Sequence, residues 1–216
     1  AIKDSTSEEA EKYRKLLIAR ARLLGRVESK ISNLKELMSD RVNSTHNLVY
    51  CSDTKTDAGR QVEEVVRQLG RELKQNTAKF TSDETSKDRE KLIKRFSSGE
   101  LQTLVAIRCL DEGVDIPRTE TAYILASSSN PRQYIQRRGR VLRKAKGKTY
   151  AYIYDFVAIP NWESMSGMAP ELLSLEKKLV QKELVRVNEF VDLSLNSGEA
   201  LTALRAIRRK LNITES

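Results

Sequence analysis

QRRGRVLR, residues 136–143, sets four arginines and a glycine on what reads as one short helix. At about 100° per residue, Gln136, Arg140 and Arg143 fall at i, i+4 and i+7, so one polar face carries two guanidinium groups. Ile135, Gly139 and Leu142 repeat that spacing one position earlier, which predicts an apolar stripe that packs closely while the arginines point outward. A planar guanidinium fork donates two parallel hydrogen bonds and keeps its proton, so such a pair suits a dispersed phosphate charge. In isolation an RRxR cluster reads more readily as a solvated basic face, and its surroundings decide between the two.

Working outward, short apolar β-rich runs alternate with amphipathic helices from residue 46 to about residue 160. The runs are 47–51 (NLVYC), 77–81 (TAKFT), 103–107 (TLVAI), 121–126 (TAYILA) and 149–157 (TYAYIYDFV), with helices near 57–73, 86–96 and 130–143. This alternation of continuously apolar strands with helices predicts an α/β fold, a mostly parallel sheet covered on both faces. Ligands gather beyond the carboxyl ends of such strands, and the segments after Ile107 and Ala126 begin there. Residues 1–42 read as an N-terminal helical segment. Ser7 precedes Glu8 and Glu9 as an N-cap, and Leu17, Leu24, Ile31 and Met38 recur every seven residues, with Val27 and Leu34 between them. That stripe is a coiled-coil seam or, more commonly, a face packed on its own domain. Residues 161–216 form a C-terminal helical extension, with helices at 170–191 and 197–211. Leu173, Val180, Leu184, Val187 and Val191 make a core face, and Arg205, Arg208, Arg209 and Lys210 complement a helix dipole or touch an acidic partner, the former being the preferred reading. The central domain is then 43–160.

Net charge is +9 with a pI near 9.5, which points to a polyanionic partner. The excess is local: residues 130–150 hold eight Lys or Arg and no acid. No run of about 18 apolar residues is present, so neither membrane insertion nor secretion is expected, and the default compartment is the cytoplasm, or the nucleus in a eukaryote. Cys51 and Cys109 lie far apart with no neighbouring His or Cys, and read as buried, reduced thiols with no metal site. His46, the single histidine, has no nucleophile or carboxylate partner in its sequence surroundings, and Trp162 reads as a cap on the core more readily than as a platform for a stacked base.

The segment 105–117, VAIRCLDEGVDIP, follows a strand and holds Gly113 and Asp115 in a turn closed by Pro117. Glycine permits backbone geometries other residues resist, and the aspartate can accept hydrogen bonds from sugar hydroxyls. The conjunction of this loop with QRRGRVLR resembles superfamily 2 helicases and translocases, specifically their second RecA-like domain. Motif V of that family matches at Glu112, Gly113, Asp115, Ile116 and Pro117, and motif VI at Gln136, Gly139, Arg140 and Arg143. NLVYCS (47–52) resembles the motif IV strand, and DREKLIKRFSSGE (88–100) the helix leading to motif V.

The resemblance implies a RecA-like domain that supplies arginine fingers to ATP and Mg²⁺ held by a first RecA-like domain. It implies Arg140 and Arg143 as the fingers, and Gly113, Asp115 and Gln136 as nucleotide contacts. Ser52, Thr54, Thr81, Ser82 and Arg108 become the contacts to a nucleic-acid backbone. The implied partner is DNA, with RNA as the other candidate. Arg89 resembles the family's helix arginine, which contacts a strand or braces Asp115. Ile107 and Arg108 stand where many relatives have a hydroxyl residue, often followed by Asp, so Arg108 becomes a direct phosphate contact. Val141 and Leu142 replace residues that are often small, which points towards DNA-directed branches. The sequence holds no G-x-x-x-x-G-K-[ST], and the GKT at 147–149 begins a strand instead of ending one. With no DExx box after a strand either, the chain is expected to be half of an enzyme, binding no nucleotide tightly and hydrolysing no ATP alone. The alternative is a non-catalytic nucleic-acid-binding or protein-interaction module that keeps the helicase-like fold.

Overall fold

Five apolar runs pair as one parallel sheet in the computed structural model, which describes residues 28–52, 55–56, 59–107, 116, 118–126, 131–159 and 167–213. The elements are α1 (Glu28–Ser39), β1 (Asn47–Tyr50), β2 (Lys55–Thr56), β3 (Gly59–Arg60), α2 (Gln61–Glu72), β4 (Thr77–Phe80) and α3 (Ser86–Ser97). There follow β5 (Thr103–Ala106), β6 (Thr121–Ile124), α4 (Pro131–Val141), β7 (Tyr152–Asp155), α5 (Pro170–Val191) and α6 (Ser197–Leu211). Among the described residues the chain divides into two compact units. One is built from residues up to 127 together with 139–156, the other from 128–138 together with 157 onward.

In the first unit the strand order is β4-β5-β1-β6-β7, and every neighbouring pair is parallel. Phe80, Ala106, Tyr50, Ile124 and Asp155 stand in register, so they mark one carboxyl edge. β1, β5 and β6 are buried along their whole length, as their unbroken apolar sequence requires of strands covered on both faces. Leu34 and Met38 of α1 join Val62, Val65 and Leu69 of α2 against Val49, Val105 and Tyr123. The heptad stripe is thus a core face over its described part, while Leu17, Leu24 and Val27 lie outside the described residues. The buried Lys30 ammonium of α1 donates to the Leu125 carbonyl at 2.7 Å, just past the end of β6. Beyond α1, Arg41 lies 5.5 Å from the Tyr152 ring centre and 5.4 Å from that of Tyr154, which stacks on Tyr123.

The amino edge of the sheet closes on itself. Thr103 Oγ1 donates to Gln75 Oε1 at 2.9 Å, and the side-chain amides of Gln75 and Gln102 both donate to the Val42 carbonyl. His46 accepts from the Glu120 amide at 3.0 Å through its backbone carbonyl, and its ring meets Phe96 edge-on at 5.6 Å. This histidine is a structural plug. Its polar neighbours satisfy buried backbone groups at this edge.

Three elements depart from the sequence reading. α2 starts at Gln61 and not near residue 57, because Gly59 has φ +104°, a left-handed conformation in the short β2-β3 hairpin that a helix cannot include. β7 pairs only over Tyr152–Asp155, although the aromatic alternation runs from 149 to 157. α4 stops at Val141, two residues before Arg143.

In the second unit, α5 and α6 pack through Val180, Leu184, Val191, Leu204, Leu211 and Ile213. Pro170 starts α5 at a position where its missing N–H is no loss. Asn212 ends α6 at φ +50°, and Arg208, Arg209 and Lys210 occupy the last turn, where positive charge complements the helix dipole. Among the described residues no helix is long and apolar enough to cross a membrane.

Candidate functional site

The carboxyl edge gathers the residues that follow β1 and β4. Ser52, two residues past β1, is half-buried, and its amide donates to Gln61 Oε1 at 2.7 Å, which ties the loop to the first turn of α2. Thr81, immediately after β4, is 1% exposed; its amide and its hydroxyl both donate to the Glu84 carboxylate, the hydroxyl at 2.8 Å. The hydroxyl also accepts from the Asp83 amide at 3.1 Å. In this conformation Thr81 is closed to a passing strand, whereas Ser82 beside it is exposed. Glu84 is the residue the sequence did not signal: a carboxylate already occupies the donors that Thr81 would offer a phosphate. Arg60 reaches the same loop, pairing with Asp83 at 2.6 Å. Thr54, Arg108, Gly113 and Asp115 lie outside the described residues, as do Cys109 and Trp162.

Thr85 opens α3 as its N-cap, accepting from the Asp88 amide at 3.2 Å and donating to the Asp88 carboxylate at 2.7 Å. One turn further, Arg89 lies 5.9 Å from the centre of the Phe80 ring. Its Nε is buried and has no hydrogen-bond partner among the described residues.

The basic helix differs from its predicted form. Ile135 is 42% exposed and Leu142 51%, and nothing stands within 4 Å of a Cβ placed at Gly139, so the stripe of Ile135, Gly139 and Leu142 is not a packing face. Val141 is the buried residue instead, at 1%. Gln136 is exposed and Arg140 half-buried on α4, but Arg143 leaves on a turn, its amide reaching the Arg140 carbonyl at 3.4 Å. The expected alignment of Arg143 with Gln136 on one helical face therefore fails. The physical reason is Lys148: its ammonium donates to the carbonyls of Val141 and, at 2.9 Å, Arg143, and so caps the helix from outside. Arg138 belongs to the second unit, where it donates to the Glu189 carbonyl at 2.8 Å with its guanidinium 5.6 Å from the Phe190 ring centre. The sequence signalled neither role, because Glu189 is distant from Arg138 along the chain and the turn that brings Lys148 back has no periodic signature.

Cys51 is buried beside the core, and burial pushes its thiol pKa well up, so it is a packing residue. Among the described residues no group of three or more His, Cys, Asp or Glu could hold a metal ion.

A five-stranded parallel sheet with a basic helix after its fourth strand in sequence order, not counting the short hairpin, is the α/β arrangement of a RecA-like domain. Residues 29–145 match the family of helicase conserved C-terminal domains, and the chain belongs to that family. Among relatives, it is 28% identical over 117 residues to the DNA 3'-5' translocase XPB2 of Sulfurisphaera tokodaii, covering 54% of this chain and 24% of that protein. It is 46% identical over 70 residues to the putative DNA 3'-5' helicase Rad25 of Haloarcula marismortui, covering 32% of this chain and 11% of that protein. The chain thus spans a quarter or less of these relatives. The fold is shared with the helicase MrfA, solved bound to DNA and AMPPNP, at a TM-score of 0.52 and 14% identity over 74% of this chain and 20% of that one.

Proposed function

We propose that this chain is the second motor domain of an ATP-dependent DNA helicase or translocase, with Arg143 and Arg140 as its arginine fingers. The observation that carries the reading is the end of α4. Arg143 is exposed on a turn whose backbone is held, three residues after a half-buried Arg140, within the segment that matches the helicase family. Two guanidinium groups in this setting fit a phosphate chain by donor chemistry, since each presents fixed, permanently charged forks. ATP, held by a first RecA-like domain, would supply the phosphoryl group whose hydrolysis drives movement. Arg143 and Arg140 bring positive charge to its oxygens when the two domains close, and that charge counts most where water is excluded. Gln136, Gly113 and Asp115 complete the nucleotide side. Mg²⁺ is assigned to carboxylates of that other domain, so this chain alone would turn over no ATP.

On the nucleic-acid side, Ser82, Ser52, Thr54 and Arg108 are the contacts at the carboxyl edge, and Thr81 joins them only if Glu84 releases it. DNA is favoured over RNA because the relatives XPB2 and Rad25 are named as DNA enzymes. Work on DNA would call for the cytoplasm, or the nucleus in a eukaryote. The buried Leu34 and Met38 and the start of the family match at residue 29 support drawing α1 into the motor domain, in place of a boundary at 43.

The test is Arg143→Ala in the full-length enzyme. DNA-stimulated ATP turnover is expected to fall by about 10³-fold or more with DNA binding nearly intact. Near-normal turnover in this variant would overturn the finger assignment.

A further inference from the structure

The run GKT at 147–149 has the composition of a phosphate loop without its position, and the family match ends two residues before it. Its lysine has other work. Lys144 and Lys146 are exposed, whereas Lys148 is half-buried and turned back onto the helix that precedes it. A tight turn makes this possible: Gly147 adopts φ +84°, and the Lys148 amide donates to the Ala145 carbonyl at 3.1 Å. The ammonium then meets the carbonyls of Val141 and Arg143 together. Partial burial pulls its pKa down by stripping water from the charge, and the nearby Glu120 carboxylate opposes that shift.

A helix leaves its last carbonyls without partners, and its dipole favours a cation there. Lys148 meets both demands for α4. Its second bond is the informative one, because the Arg143 carbonyl lies beyond the helix, where no intrahelical ladder fixes the backbone. The Arg143 amide makes a 3.4 Å contact with the Arg140 carbonyl, longer than the lysine's bond to the Arg143 carbonyl. Val141 is anchored in the core at 1% exposure, so the lysine joins a fixed point to the residue that carries the exposed guanidinium.

We infer that Lys148 is a positioning residue for Arg143, a clasp that holds the backbone from which the finger projects. The inference rests on the finger reading of Arg143. A group held about 1 Å out of place can lose on the order of 10²-fold in rate, so a loosened finger keeps part of its effect where a deleted one keeps none.

The experiment is a double-mutant cycle in the full-length enzyme, with steady-state ATP hydrolysis at saturating DNA. Lys148→Ala is expected to lower kcat about 10- to 100-fold while leaving the KM for ATP and the affinity for DNA within about 2-fold. Lys148→Arg, which keeps a cationic donor, restores most of the loss. In the Arg143→Ala background, Lys148→Ala adds little, because the finger it positions is gone. Wild-type kcat in Lys148→Ala, alongside the expected loss in Arg143→Ala, overturns the clasp and leaves the finger standing. Near-normal turnover in Arg143→Ala overturns the finger, and the clasp with it. A full additional loss on top of Arg143→Ala, or a weakened DNA affinity with kcat intact, assigns the lysine elsewhere and also overturns the clasp. Should the alanine variant fail to fold, Lys148→Met, which keeps the apolar stem, enters the same cycle.

Discussion

Replacing Leu34 with alanine asks whether α1 is part of the motor domain's core or an arm beside it. Leu34 is 0% exposed and lies in the cluster that includes Val49, Val62, Val65, Leu69, Val105 and Tyr123. Removing its side chain loses the transfer energy of the buried atoms and opens a cavity that strands on one side and α2 on another cannot fill by moving. The cost for such a site is about 3 to 4 kcal/mol. Leu37, on the same helix, is 41% exposed, and the same substitution there is expected to cost less than about 1 kcal/mol. The pair shares its change in helix propensity, so the difference reports burial alone. At about 2 to 4 °C per kcal/mol, Leu34→Ala lowers the melting temperature of the sheet unit by roughly 6 to 16 °C. Calorimetry and urea unfolding followed by far-ultraviolet circular dichroism on the 216-residue chain measure both variants. Equal, small losses at the two positions would refute the docking of α1 and return the domain boundary to residue 43.

Two further outcomes test other parts of the sheet unit. Burial pushes the Tyr123 phenol up to about 12, with no hydrogen-bond partner for its oxygen among the described residues. The folded chain therefore keeps a proton that the unfolded chain sheds above about pH 10. Stability falls as pH rises from about 10 to about 12, and Tyr123→Phe is expected to flatten that decline while leaving neutral-pH stability unchanged or higher, read from denaturant midpoints across pH. A decline as steep in the variant as in the wild type assigns the alkaline loss to another group. Thr85→Ala removes the N-cap of α3 and is expected to cost about 1 kcal/mol, with Thr85→Ser recovering most of it; an unchanged midpoint would show that the Thr85–Asp88 bonds contribute nothing.

The strands were legible because buried parallel strands need unbroken apolar runs, and little else in the chain offers them. The bounds of α5 and α6 were legible for a local reason: Pro170 and Ser197 begin their segments, and the periodic apolar residues run to Val191 and Leu211. The end of α4 was not legible. Periodicity extends a helix as far as its residues permit, and Arg143 permits it; what stops α4 is an ammonium from Lys148, seven residues after Val141. The commitment of Thr81 to Glu84 was hidden for a similar reason, since a threonine after a strand looks available until the carboxylate three residues on is seen to fold back. The arginines themselves were named by order and type, while their geometry came from side chains that no pattern in the sequence marks.

The two outer strands of the sheet raise a matter separate from catalysis. Among the described residues β4 and β7 each pair with one neighbour, and a bare strand edge can recruit the same edge of another molecule. Each has a cation in attendance: the exposed Lys79 on β4, and on β7 the Arg41 guanidinium lying near Tyr152 and Tyr154. Adding a foreign strand on either flank would strip water from a charge. Charge at a strand flank is one of the features that disfavour edge-to-edge pairing, which gives these two residues a physical consequence apart from the motor.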